Sequence, residues 1–351
     1  MSATSFKAAI LGASGYTGAE LVRLLHSHCA ISIQALTADR FAGQELKSLF
    51  PHLATLNLPV MRKIEETDFS EIDVVFCCLP HGLTQDTISS LFDNYPDIKV
   101  VDLSADFRLS DPDVYEVTYG GPHKALKLQE EAVYGLTEWA RDQVASARLV
   151  ANPGCYTTTC QLPLVPLLKQ GLISSDDIIV DAASGISGAG RAAKEHLMLS
   201  EHDGNFSAYG IGVHRHGPEI DQVLSGAAGQ EVKVSFTPHL LPFSRGILAT
   251  SYVKLAFRKT IDDIRTCLSQ VYEKETFVNV LPEGQSPELK NVRGTNFCLI
   301  GVFADRVPGK IILVSALDNL MKGASGQALQ NMNIMLGLEE NMGLDCLALV
   351  P

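Results

Sequence analysis

The chain has 351 residues, 46% of them hydrophobic and 19% charged, a length that a single core seldom fills and that predicts two domains. Its formal net charge of −12 argues against nucleic acid or an anionic membrane as the main partner, while a local Arg and Lys cluster can still line a pocket for a small anion. No apolar run reaches membrane-spanning length and the start MSATSFKAAILGASG lacks a secretory layout, so a cytoplasmic protein is expected.

In chain order, KAAILGA predicts a first strand ending in glycines, and GAELVRLLHSH a helix with Leu21, Val22, Leu24 and Leu25 at helical spacing. ISIQALTAD, IDVVFCCLP, KVVDLSADF and ARLVANPG follow as further apolar strands separated by helical segments. That alternation predicts a doubly wound parallel sheet covered on both faces, a Rossmann-like domain over about residues 1–154. Gly12, Gly15 and Gly18 sit between first strand and first helix. A tight turn there brings backbone N–H groups and a helix N-terminus to a pyrophosphate. Ser14 stands where the usual dinucleotide fingerprint has glycine. Asp39, at the end of the second strand, favours a ribose hydroxyl and so NAD; Arg40, with Thr37 nearby, favours the 2′-phosphate of NADP. Residue types leave that choice open. The strand ends CCLPHG and SADFRL place Leu79 and Pro80 where a cofactor passes, and Arg108 where open α/β sheets bind ligands.

The second half reads differently. DIIVDAASG, EVKVSFTPHL, GILATSYVKLAF, NFCLIGVFAD and KIILVSALDN are longer strands, several of alternating polarity, which predicts an α+β domain with a mostly antiparallel sheet over about residues 155–320. GASGQALQNMNIMLGL puts Ala324, Ala328, Met332 and Met335 on one stripe, a helix over about residues 321–340 that returns to the first domain.

Eight scattered cysteines, none spaced C-x-x-C, read as reduced thiols. Only Cys155 has a suggestive setting, in NPGCYTTTCQ, where a strand ends and a helix can begin. A helix N-terminus favours thiolate, although Pro163 and Pro166 are expected to kink or shorten that helix. A thiolate serving a nicotinamide enzyme suggests a thioester, which interconverts with an acyl phosphate on one side and an aldehyde on the other. HRHGPEI supplies His214 and His216 as acid/base candidates and Glu219 as a carboxylate to orient a ring. H-x-H can also bind metal, but no third or fourth ligand clusters nearby, so no metal is expected. SGISGAGR, residues 184–191, is a second Gly/Ser-rich turn that suits a phosphate or a nicotinamide ring.

The stretches GASGYTGAEL, DLSADFRL, YGLTEW, NPGCY, SGISGAGR, HRHGPEI, FTPHLLPFSRGIL and DNLMKGASGQALQ, in that order, resemble the N-acetyl-γ-glutamyl-phosphate reductase family of the semialdehyde dehydrogenase superfamily. The resemblance implies NADPH-dependent reduction of N-acetylglutamyl 5-phosphate to the 5-semialdehyde, in arginine biosynthesis, by a homo-oligomer, dimer or tetramer. It implies Cys155 as nucleophile, His214 as acid/base and Glu219 as its orienter. Gly12, Ser14, Gly15, Tyr16, Thr17, Gly18, Thr37, Arg40, Leu79, Pro80, Ser187, Gly188 and Asn319 would hold NADP(H). Arg108, Ser184, Gly185 and His216 would hold substrate. The chain departs from the family's pattern at Thr157, where Pro is usual, at Thr159 and Pro163, where small residues are common, and in the cofactor loop TADRFAG. The alternatives are an aspartate-semialdehyde dehydrogenase-like enzyme and a non-catalytic, dinucleotide-sensing regulator.

Overall fold

The computed structural model describes residues 5–349. The chain divides into two compact units, residues 1–153 with 324–345, and residues 154–323 with 346–351. No helix among the described residues is long and apolar enough to cross a membrane.

The first unit carries β1 (Phe6–Leu11), α1 (Tyr16–His26), β2 (Ile31–Leu36), β3 (Val74–Cys77), α2 (Thr84–Asn94) and β4 (Lys99–Asp102). It continues with α3 (Pro112–Tyr119), α4 (Leu126–Glu131), β5 (Val133–Tyr134), α5 (Thr137–Ser146) and β6 (Leu149–Ala151). Six strands form one sheet in the order β2-β1-β3-β4-β6-β5, and every pair is parallel. Every residue of β3 and of β6 is buried, as both-face coverage requires. Val75, Val100 and Leu149 of the sheet pack with Ile88, Leu91 and Phe92 of α2 in one apolar cluster. The two-residue β5 ends at Tyr134, where YGLTEW begins, and is too short to be announced by an apolar run.

The second unit carries α6 (Cys155–Lys169), β7 (Ile178–Gly185), α7 (Leu199–His202), β8 (Ser207–Ala208), α8 (His216–Ala228), β9 (Val234–Leu241) and β10 (Ile247–Lys254). Then come α9 (Ile261–Tyr272), β11 (Val278–Val280), β12 (Cys298–Ala304) and β13 (Lys310–Leu317). The seven-stranded sheet runs β11-β12-β13-β10-β7-β9-β8. It is mixed, with parallel β7–β9 and β11–β12 pairs in an otherwise antiparallel array. A π-helical turn, Met321–Ser325, leads to α10 (Gly326–Met335), which belongs to the first unit.

Two expectations change. The two prolines do not break α6, which runs for 15 residues through both. Each proline removes the N–H that would bond the carbonyl four residues back. The Ser315 hydroxyl donates to the Thr159 carbonyl at 2.9 Å, and the Tyr272 hydroxyl donates to the Leu162 carbonyl. Side chains of β13 and α9 therefore replace both missing bonds. Without them each buried carbonyl would cost roughly 1–3 kcal/mol. The second change is in α10, which is buried on all sides rather than along one stripe. Its polar residues are paired. Asn331 Nδ2 donates to the Gly135 carbonyl (2.8 Å) and Asn152 Oδ1 (3.1 Å), and Gln327 Nε2 donates to Thr137 Oγ1 (2.8 Å). Only these pairings make it affordable to bury so many amides.

Candidate active site

The first unit builds a dinucleotide cradle. Gly12 has φ +75°, and a Cβ there would lie 2.6 Å from the Cys78 carbonyl oxygen. A Cβ on Gly18 would lie 2.6 Å from the Ala13 Cα. The first glycine makes the turn and the third lets α1 close on the loop. Gly15 caps α1 without a side-chain hydrogen bond, as suits a helix start whose first-turn N–H groups of Tyr16, Thr17 and Gly18 would serve a pyrophosphate. Thr37 is buried and its backbone bonds Ile10 and Ala13, bracing the loop from β2. Asp39 and Arg40 are exposed beyond it, with the Arg40 guanidinium 5.5 Å from the Phe41 ring.

Asp106 organises the next strand end. Its carboxylate accepts from Gly82 N–H (2.7 Å), Thr84 N–H (3.1 Å), Thr84 Oγ1 (2.6 Å) and Tyr115 Oη (2.8 Å). This fixes the turn that carries Leu79 and Pro80. Sequence reasoning gives Asp106 only as a structural partner for Arg108. Arg108, expected as an anion anchor, is buried and donates from Nε to the Asn152 carbonyl (2.8 Å) and from Nη2 to the Leu103 carbonyl (3.0 Å). It clamps the strand end that leads to Pro153.

In the second unit Cys155 occupies the first position of α6, with Gly154 as N-cap. Glu219 is fully buried, and its Oε1 accepts from Gly154 N–H (2.9 Å) and from the Thr157 hydroxyl (2.9 Å). Glu219, expected to orient His214, braces the start of the cysteine's helix. Gly323 presses bare backbone on Cys155, since a Cβ there would stand 2.7 Å from the Cys155 Cβ. Neither Thr157 nor Gly323 was legible as a site residue, because both contacts are long-range.

His216 opens α8, and His214 precedes it with its Nδ1 accepting the His216 N–H at 3.1 Å. The His214 ring lies edge-on to Tyr156, Tyr209 and Phe236, at 5.6, 5.4 and 5.5 Å. Burial in this aromatic nest, and then the Arg215 charge, push its pKa down to about 4. His214 is therefore a neutral imidazole at neutral pH, not an imidazolium. Helical spacing places His216 one turn before Glu219 on the same face of α8.

The Gly/Ser turn is also ordered. N–H groups of Gly185, Ile186 and Ser187 donate to the carbonyls of Gly246, Phe243 and Ser244. Asn319 accepts from Gly246 N–H (2.7 Å) and donates to Ser187 Oγ (2.9 Å). The buried Ser184 Oγ would be 3.4 Å from a Cβ on Gly188. The structure thus brings Ser184, Gly185, Ser187, Gly188 and Asn319 together. The thiols of Cys77, Cys78, Cys160 and Cys267 all have their pKa raised by burial, that of Cys78 to about 12. Among the described residues no group of three or more His, Cys, Asp or Glu could hold a metal ion.

Comparison with known proteins adds the lineage. A family profile described as the semialdehyde dehydrogenase NAD binding domain matches residues 7–147, and one described as the semialdehyde dehydrogenase dimerisation domain matches residues 155–319. The N-acetyl-gamma-glutamyl-phosphate reductase of Rhodospirillum rubrum is 58% identical over 98% of this chain and 98% of its own length. The chain belongs to the N-acetyl-gamma-glutamyl-phosphate reductase family. A probable chloroplastic family member from Arabidopsis thaliana is 56% identical over 95% of this chain and 83% of its own. Solved aspartate semialdehyde dehydrogenases share the fold. The Vibrio cholerae enzyme II aligns with a TM-score of 0.71 at 16% identity, covering 95% of this chain and 98% of its own. The Candida albicans enzyme, solved with NADP, aligns at 0.69 and 21%, covering 96% and 99%. As family members do, the chain has a nicotinamide-dinucleotide-binding domain.

Proposed function

We propose that the chain reduces N-acetyl-γ-glutamyl phosphate to N-acetylglutamate 5-semialdehyde through a thioester on Cys155. The observation that carries this reading is the cysteine at the first position of a 15-residue helix, where the positive helix end favours a thiolate. The thiolate attacks the acyl carbon, the carbon–oxygen bond to phosphate breaks, and phosphate leaves. A bound nicotinamide would supply hydride to the thioester carbonyl carbon. The resulting oxyanion collapses, the carbon–sulfur bond breaks, and aldehyde and thiolate are released. The departing phosphate takes up one proton, and the oxyanion needs a hydrogen-bond donor to steady it until it collapses. With a pKa near 4, His214 stays neutral, so we assign the proton to His216 and give His214 the task of fixing the start of α8 through Nδ1. Glu219 holds the cysteine's helix.

The direct test runs the reaction backwards, with the semialdehyde, inorganic phosphate and oxidised coenzyme. Reduced coenzyme should appear only when phosphate is present. Equal rates with aspartate semialdehyde would favour the aspartate-type enzyme, and coenzyme binding without turnover would favour the sensor.

The coenzyme we propose is NADP(H), because Arg40 is exposed beyond β2 and can pair with a 2′-phosphate. Arg40→Ala should weaken NADPH binding by about 1.5–3 kcal/mol and leave NADH nearly unchanged. Equal losses in a binding titration would make Arg40 structural. The second sheet supports a homo-oligomer. Helices α6 and α9 pack on one face. The other face carries half-buried Leu248, Tyr252, Leu299, Phe303, Ile312 and Val314, an apolar surface suited to a second copy. Light scattering that returns a monomer mass would reject this assembly.

A further inference from the structure

The peptide just before Cys155 is held at both of its polar groups. Gly154 is the hinge between strand and helix, and glycine has more backbone freedom to lose than any other residue. An N-cap glycine has no side chain to satisfy the helix start. In the usual capping box the N-cap side chain and the third helical residue answer each other's N–H groups. Here a carboxylate from another helix takes over that task. Glu219 Oε1 accepts the Gly154 N–H at 2.9 Å. The third helical residue, Thr157, completes the arrangement. Its hydroxyl lies 2.9 Å from Glu219 Oε1 and 2.7 Å from the Gly154 carbonyl oxygen. Gly154 is therefore held at both its N–H and its carbonyl, and Thr157 touches both holding points. All of these groups are buried.

A proline at this position would have no hydroxyl. The first turn of a helix tolerates proline, and a proline there stiffens the turn through its ring. Thr157 replaces ring stiffness with a hydrogen bond. The hydroxyl has a single proton. Donated to Glu219, it draws charge from a carboxylate that sits beside the helix end holding the nucleophile. A carboxylate there opposes a thiolate, and each donor on its oxygen weakens that opposition.

We propose that Thr157 is a positioning residue for the nucleophile: its hydroxyl, shared between Glu219 and the Gly154 carbonyl, locks the glycine hinge ahead of Cys155 and tempers the Glu219 charge. The proposal rests on the reading of Cys155 as the reacting thiol.

The test compares Thr157→Val, which keeps the shape and loses the hydroxyl, with Thr157→Ser, which keeps the hydroxyl. Four quantities are read on the full chain: turnover, the Michaelis constant for NADPH, the pH midpoint of Cys155 alkylation by iodoacetamide, and the melting temperature. Thr157→Val should lower turnover about tenfold to a hundredfold, the range of one hydrogen bond to a charged group. It should raise the alkylation midpoint and leave the NADPH constant unchanged. Thr157→Ser should stay within about threefold of the parent on both counts. In a double-mutant cycle with Glu219→Gln, the pair should lose much less than the product of the single losses. A Thr157→Val protein with parental turnover and midpoint overturns the proposal. So does a protein that loses turnover with an unmoved midpoint, which would make Thr157 merely structural. Multiplicative losses in the cycle overturn it as well. If Thr157→Val does not fold, Thr157→Ala replaces it in the same cycle. Mapping the substrate-derived acyl group on the parent protein separates the two readings, because an adduct away from Cys155 removes the nucleophile itself whatever Thr157 does.

Discussion

Cys155→Ser is expected to abolish turnover, by on the order of 10⁴-fold or more, while coenzyme binding persists. A serine hydroxyl is a far weaker nucleophile near neutral pH, and an ester is a poorer hydride acceptor than a thioester. The loss cannot be made up by a neighbouring thiol. Cys160 is five residues further along α6, but it is fully buried and its pKa is raised, first by burial and then by Cys155 itself. Cys77 and Cys78 are likewise held as thiols. Coenzyme binding persists because the glycine turn and Thr37 belong to the other unit of the chain. Mass spectrometry of protein quenched during turnover should show an acyl adduct on the peptide containing Cys155, and none in the Ser variant. An adduct elsewhere, or near-parental activity of the variant, would end the thioester mechanism.

His216→Asn is expected to lower turnover roughly 10²–10⁴-fold, the usual contribution of a general acid/base. His214→Asn should do less to turnover and show its effect in acid stability. The His214 pKa is about 4 when folded, against an ordinary value of 6.5. Because the folded value is the lower one, the unfolded chain binds the proton first as pH falls. The stability contributed by keeping this ring neutral is thus complete above pH 6.5 and is lost as pH falls from there towards 4. His214→Asn should flatten the fall in melting temperature over that window, and His216→Asn should leave it in place. Turnover and melting temperature against pH for the two variants separate the roles. A larger turnover loss at His214 than at His216 would return the proton to His214.

The doubly wound half was legible because a parallel sheet covered on both faces leaves continuous apolar runs, and IDVVFC, KVVD and RLVA are such runs. The turn at Gly12 and Gly18 was legible for a related reason. A Cβ at either position meets backbone, so the chemistry of the loop is written in the residue type. Cys155 could be singled out from its neighbours Pro153 and Gly154 alone, since helix starts have local signatures.

What the tertiary structure decided depends on partners far away in sequence. Local rules break α6 at Pro163 and Pro166, and only the folded chain brings Ser315 and Tyr272 to the orphaned carbonyls. The sequence of α10 shows one apolar stripe, and its polar residues are buried as well because Gly135, Thr137 and Asn152 pair with them. HRHGPEI offered two equivalent imidazoles and a carboxylate. The start of α8 at His216, the aromatic nest around His214 and the distance in sequence from Glu219 to Gly154 made the three unequal. Desolvation and long-range hydrogen bonding set those differences, and neither is a property of a residue and its nearest neighbours along the chain.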